Sequence, residues 1–174
     1  TVSEVRYTVC GVSSTATTAN VVTDVWLTLI EVENNGADLA ELYESQDILE
    51  AGEVVIVDAG LRVGVKKSTR AYQENVVGIV STRPGLIIGI EDFSGQAVPI
   101  ALSGRVPVKV STENGPIRVG DFLTTSSISG TAMKATKAGY IIGIALADFA
   151  DAEPGKVLAF VRNSYYNGKT LINI

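Results

Sequence analysis

The sequence predicts an all-β protein, and three observations lead there. Val, Ile and Thr dominate short apolar runs, and their branched side chains suit a pleated surface. Gly and Asn-Gly interrupt those runs at intervals too short for helices. One block of strand-like sequence also occurs twice, the mark of an internal repeat.

Taken in order, residues 1–35 read as an extended, Val/Thr-rich β arm with few turn signals. Such a segment completes a sheet within its own chain or in a neighbour. Val21, Val22, Val25, Trp26, Leu27 and Leu29 are the residues expected to carry an inter-subunit strand. Cys10, the single cysteine, reads as a small buried apolar residue or as a link to another chain. The chain begins at Thr1 and not at a methionine, as expected of one already processed or trimmed.

Residues 37–43 are the one helix candidate, a turn or two long. Asp38, Glu41 and Glu44 are spaced by three, so a helix would set them along one face. Asp47 and Glu50 follow. Close carboxylates can split their pKa values and do acid/base work, or bind calcium through oxygen. The spacing lacks the alternating ligands and the glycine of a calcium loop. As bare residues, they read as a solvated helix face capped by Asp38. Asn34-Asn35-Gly36, just upstream, is either a tight turn or a site of backbone cleavage. Glycine leaves the Asn side chain unhindered access to the next amide nitrogen.

Residues 36–165 form the predicted β-rich body, and 166–174 a carboxy-terminal tail. The repeat lies near 51–80 and 119–145. The first copy runs Ala51-Gly52-Glu53-Val54-Val55, Lys67-Ser68-Thr69 and Val76-Val77-Gly78-Ile79-Val80. The second runs Val119-Gly120-Asp121-Phe122-Leu123, Lys134-Ala135-Thr136 and Ile141-Ile142-Gly143-Ile144-Ala145. Glycine weakens a strand, so its return at the same place predicts a bulge or a close backbone crossing. Two such units predict a compact barrel or a β-clip-like body. Asn114-Gly115 and Asn167-Gly168 supply further turns, and the five prolines sit at turns and edges.

The composition removes whole classes of chemistry. With no histidine and one cysteine, neither a Ser-His-Asp triad nor a His/Cys metal site can be built. No metal and no cofactor are expected. Ser126, Ser127 and Lys134 read as solvated strand residues and not as a nucleophile with its base. With 14 basic and 19 acidic residues, and no basic cluster larger than Lys66-Lys67, phosphate-backbone binding is not expected. Gly-x-Gly patterns open no helix and cradle no phosphate. The longest uncharged run, 7–23, is too short and too rich in Ser and Thr to span a membrane.

Gly36-Ala37-Asp38-Leu39-Ala40-Glu41-Leu42-Tyr43-Glu44 resembles the Gly-Ala-Asp-Tyr-Ala-Glu-Tyr-Phe-Glu signature of one family. That family is the carboxy-terminal self-cleaving intramolecular chaperone domains of phage neck-appendage and tail-spike proteins and related bacterial surface proteins. Gly52-Glu53-Val54-Val55, the run from Val76 to Gly85 and the run from Val98 to Val110 are similar to its following blocks. The resemblance covers roughly Gly36 to Val161. It implies a trimeric appendage module in which Asp38 and Glu41 match carboxylates implicated in one backbone cut, falling here near Asn34, Asn35 and Gly36. Leu39 and Leu42 replace signature aromatics, and the reading favours a structural relative that does not cleave. Gly120-Asp121-Phe122-Leu123 and the run from Gly139 to Ala145 are similar, over a shorter stretch, to phage capsid decoration proteins.

The expected function is a self-assembling module of an extracellular appendage, filament or virion fibre, held together by β-sheet contacts. The alternatives are a single-turnover autoprotease and a capsid decoration protein. A conventional enzyme ranks last. The expected partners are copies of the same chain, as a trimer or filament, at an extracellular or virion surface; nucleic acid and membrane insertion are not expected.

Overall fold

A computed structural model describes residues 36–89, 93 and 95–168. These residues form ten strands and no helix, so the all-β prediction holds. In chain order they are β1 (Asp38–Ser45), β2 (Val54–Asp58), β3 (Gly64–Lys67), β4 (Val76–Val80) and β5 (Leu86–Ile88). They continue as β6 (Gln96–Val110), β7 (Phe122–Thr125), β8 (Ala132–Lys134), β9 (Gly139–Ala145) and β10 (Gly155–Tyr166).

The predicted repeat appears as two circuits of paired strands that share β6. In the first, β2 is antiparallel to both β3 and β4. β3 joins β1 in parallel at the single pair Glu44↔Gly64, and β4 and β1 both run antiparallel to β6. In the second, β7 is antiparallel to β8 and β9. β8 joins β6 in parallel at the single pair Val110↔Ala132, and β9 and β6 both run antiparallel to β10. Each circuit is thus closed on one side by a single residue pair, so the result is a compact sheet and not a clean barrel. β5 stands outside this scheme, parallel to β1.

The repeated glycines do the same work twice. Gly52 and Gly120 take φ values of 92° and 90°, a region that favours glycine, and open the turn into β2 or β7. A Cβ at Gly78 would lie 2.4 Å from the carbonyl oxygen of Ala101, and one at Gly143 2.3 Å from that of Phe160. The close backbone crossing predicted from sequence is therefore present in both copies.

Two apolar clusters hold the body. Val55, Val65, Val80, Val98 and Ile100 form one. Val54, Ile79 and Ala101 face away from it and pack with Val106, Val108, Leu123, Ile142 and Val157 of the second circuit. Val54 to Ile56 of β2 and Gly78 to Val80 of β4 are buried on both faces, so these stretches are apolar runs without alternation.

The helix expected at 37–43 is not formed; these residues belong to β1. A segment this short supports few helical hydrogen bonds and bears the full nucleation cost. As a strand it pairs with β6 from Asp38↔Gly104 to Ser45↔Gln96 and with β5 through three further pairs. Tertiary pairing outweighs the helical propensity of its Ala, Leu and Glu residues.

Candidate functional site

The chain enters β1 through a passage walled by backbone. A Cβ at Gly36 would lie 2.2 Å from the Gly85 nitrogen and 2.5 Å from the Arg83 carbonyl oxygen. Gly104, at φ 111°, brings its Cα side equally close to the Ala37 carbonyl oxygen and the Asp38 backbone. Gly85 N–H donates to the Asp38 carbonyl at 2.9 Å, and Arg105 N–H to that of Ala37 at 2.9 Å. The backbone at 36–38 is therefore fixed from both sides.

Asp38 is buried at 7% exposure, and its Oδ2 has no hydrogen-bond partner. Burial pushes its carboxyl above the usual range; the Ser81 side chain beside it opposes the rise only in part. Ser81 Oγ is likewise buried without a hydrogen bond of good geometry. A buried polar atom left unpaired costs on the order of 1–3 kcal/mol, so this corner of the fold is destabilised by its own acid.

Glu41 has different surroundings. Tyr43 OH donates to its Oε2 at 2.9 Å, and the Glu41 side chain lies against Gly89. Burial, the hydrogen bond to Glu41 and its charge push the Tyr43 phenol up to about 12. On a strand, residues three apart point to opposite faces, so Asp38 and Glu41 do not form the common face that a helix would make. The bulge at this place inserts Leu102 on β6 and leaves the alternation of β1 intact.

The other acids of the predicted face also part company. Asp47 accepts the Lys67 N–H at 3.0 Å. Glu50 pairs with Lys109 at 2.6 Å, which holds its carboxyl below the usual range. Glu53, which sequence reasoning treated only as a turn residue, is the buried centre of this network. Its Oε1 lies 3.1 Å from Lys67 Nζ and 3.0 Å from Lys109 Nζ, and its Oε2 accepts the Glu50 N–H at 2.9 Å. Burial pushes the Glu53 carboxyl up, but the Glu50 N–H and the two ammonium groups outweigh it, and it titrates below the usual range.

Asp121 repeats the arrangement in the second circuit. Its Oδ2 accepts the Arg118 N–H at 2.7 Å and lies 2.8 Å from Lys134 Nζ. The Gly-acid turn and the Lys-x-Thr strand are thus joined by one ion pair per repeat. Lys134 faces an acid, and the Ser126 hydroxyl bonds the Ile128 carbonyl at 3.2 Å. Ser126 is thus fully buried just beyond the end of β7, not the solvated strand residue expected, and its hydroxyl is bonded to backbone and not to Lys134.

A groove of about 850 Å³ opens beside the end of β10, where Asp121, Phe122, Lys134, Ile141, Arg162 and Tyr166 face it. Phe122 and Tyr166 rings lie 5.0 Å apart, and no carboxylate among the described residues pairs with Arg162. Sequence reasoning missed this groove, and it missed Ser81 beside Asp38. Asn34, Asn35, Cys10 and the arm residues Val21, Val22, Val25, Trp26, Leu27 and Leu29 lie outside the described residues. Among the described residues, no group of three potential metal ligands converges. No helix there is long and apolar enough to cross a membrane.

No protein-family model and no curated protein matches the chain by sequence. Its fold is similar to two solved structures of one bacteriophage protein. The pre-mature bacteriophage phi29 gene product 12 aligns over 74% of this chain at a TM-score of 0.52 and 13% identity. The C-terminal fragment of the same gene product aligns over 72% at a TM-score of 0.50 and 14% identity. The alignment spans 22% of the pre-mature protein but 100% of the fragment, so the similarity takes in the whole of the fragment and a small part of the full protein.

Proposed function

We propose that this chain is a structural module of a phage-type appendage, self-associating through β-sheet contacts at a virion or other extracellular surface. The observation that carries this reading is the fold shared with the whole C-terminal fragment of a bacteriophage protein. The deployment of the acids supports it. Glu53 and Asp121 are consumed in holding turns, which is structural work. Residues 1–35 would supply an assembly strand through Val21, Val22, Val25, Trp26, Leu27 and Leu29. Light scattering on the full chain tests the proposal: the expected result is a multimer, and a monomer at high concentration would remove it.

One observation favours a second reading, a single self-cleavage near Asn34, Asn35 and Gly36. Asp38 is buried, raised in pKa and unpaired at Oδ2, two residues beyond a glycine clamped in place. A carboxyl that holds its proton more tightly than usual can donate it to the leaving amine of a peptide. Glu41 stands apart from it and would act only through a rearrangement. Intact mass after prolonged incubation separates the readings, since cleavage yields a fragment pair that Asp38→Asn abolishes.

A further inference from the structure

We infer that copies of this chain join head to tail, the edge of β5 that no described residue pairs with in one copy lying along the end of β10 in the next. The inference rests on the self-association proposed above and assigns the contact that makes it.

Two short strand segments each have one bonded edge among the described residues. β5 pairs with β1 through Leu39↔Leu86, Ala40↔Ile87 and Glu41↔Ile88, and ends the sheet. Its three side chains, Leu86, Ile87 and Ile88, are all exposed. An apolar edge is a template for another chain, and proteins that leave one free blunt it with Lys or Pro. β5 carries neither. At the other end, the last pair between β10 and β6 is Arg162↔Ser103, while Ser164, Tyr165 and Tyr166 pair with β9 alone. Three residues with an open edge therefore stand at each end of the strand order.

The two ends are also complementary in chemistry. Beside Ile88 lies Glu41, whose carboxylate takes a hydrogen bond from Tyr43 and no cation among the described residues. The groove beside β10 offers the reverse: the Phe122 and Tyr166 rings for aliphatic side chains, and Arg162, which pairs with no carboxylate among the described residues, Asp121 being taken by Lys134. Main-chain bonds along the paired edges would supply affinity, and the groove would select the strand. Because the two surfaces differ, the contact is heterologous. It closes into a ring or continues as a filament, according to the rotation between copies.

Sedimentation of four full-length proteins tests this: the parent, Ile88→Lys, Arg162→Glu, and the two changes combined. Both positions are exposed, and thermal melts establish that each variant is folded. The parent is expected to form a multimer. Each single change should raise its dissociation constant at least tenfold, because the new lysine faces Arg162 in one case and a glutamate faces the aliphatic edge and Glu41 in the other. The combined protein should reassociate through the new Lys–Glu pair. Single variants that sediment like the parent would overturn the contact while leaving self-association in place. A combined variant no better than either single would overturn it too, and a monomeric parent would remove both this contact and the proposal beneath it.

Discussion

Lys134 Nζ lies 2.8 Å from Asp121 Oδ2, and Lys67 Nζ lies 3.1 Å from Glu53 Oε1 at the matching place in the first repeat. The two bonds are equivalent in position but not in surroundings. The Glu53 side chain is 5% exposed and serves two lysines, whereas that of Asp121 is 22% exposed and serves one. Glu53→Gln should therefore cost about 2–3 kcal/mol, as expected when a buried network loses its charged centre. Asp121→Asn should cost about 1 kcal/mol or less. Urea denaturation of the two variants measures the difference.

The same network predicts an acid limit. The Glu53 carboxyl titrates below its ordinary value of 4.5 in the folded chain, so the unfolded chain binds the proton more readily. Its contribution is complete above the unfolded value and is lost as pH falls through the folded one. Stability of the parent should drop over that window, and Glu53→Gln should flatten the profile.

Asp38 predicts the opposite slope. Its carboxyl is raised above 3.8, so the folded state prefers the protonated form and is penalised once the group ionises. Asp38→Asn should stabilise the protein at pH 7 by about 1 kcal/mol, or roughly 2–4 °C in Tm. The gain should vanish as pH falls towards the unfolded value. A loss of stability at pH 7 would show that Asp38 is satisfied by a partner and not strained.

The close crossings make a third comparison. Gly78→Ala and Gly143→Ala each force a methyl group onto a carbonyl oxygen of the neighbouring strand and should cost about 3 kcal/mol or more. Gly120→Ala meets open space and bears only its positive φ, so about 1 kcal/mol is expected. Chemical denaturation of the three variants should rank them in that order.

The repeat was legible because it rests on backbone constraints. A Gly-acid turn and a glycine within an apolar strand have few alternative explanations, and both recur in order. β1 was misread because Ala-Asp-Leu-Ala-Glu-Leu carries helical propensity, while the strand that overrides it, β6, begins more than 50 residues later. The spacing of Asp38 and Glu41 lost its meaning with the helix, since a period of two separates what a period of 3.6 aligns. The partnership of Lys109 with Glu53 spans 56 residues and left no local trace. The groove at the end of β10 draws its walls from several separate strands, so no single stretch announced it.

The fifteen residues of β6 carry a consequence of their own. Their first half seals the amino-terminal ring and their second half the carboxy-terminal one, so neither ring keeps its seam once this stave is withdrawn. Cutting the gene at Gly104 would leave two fragments each short of a wall, and the two rings should melt together in a single calorimetric peak despite their doubled plan.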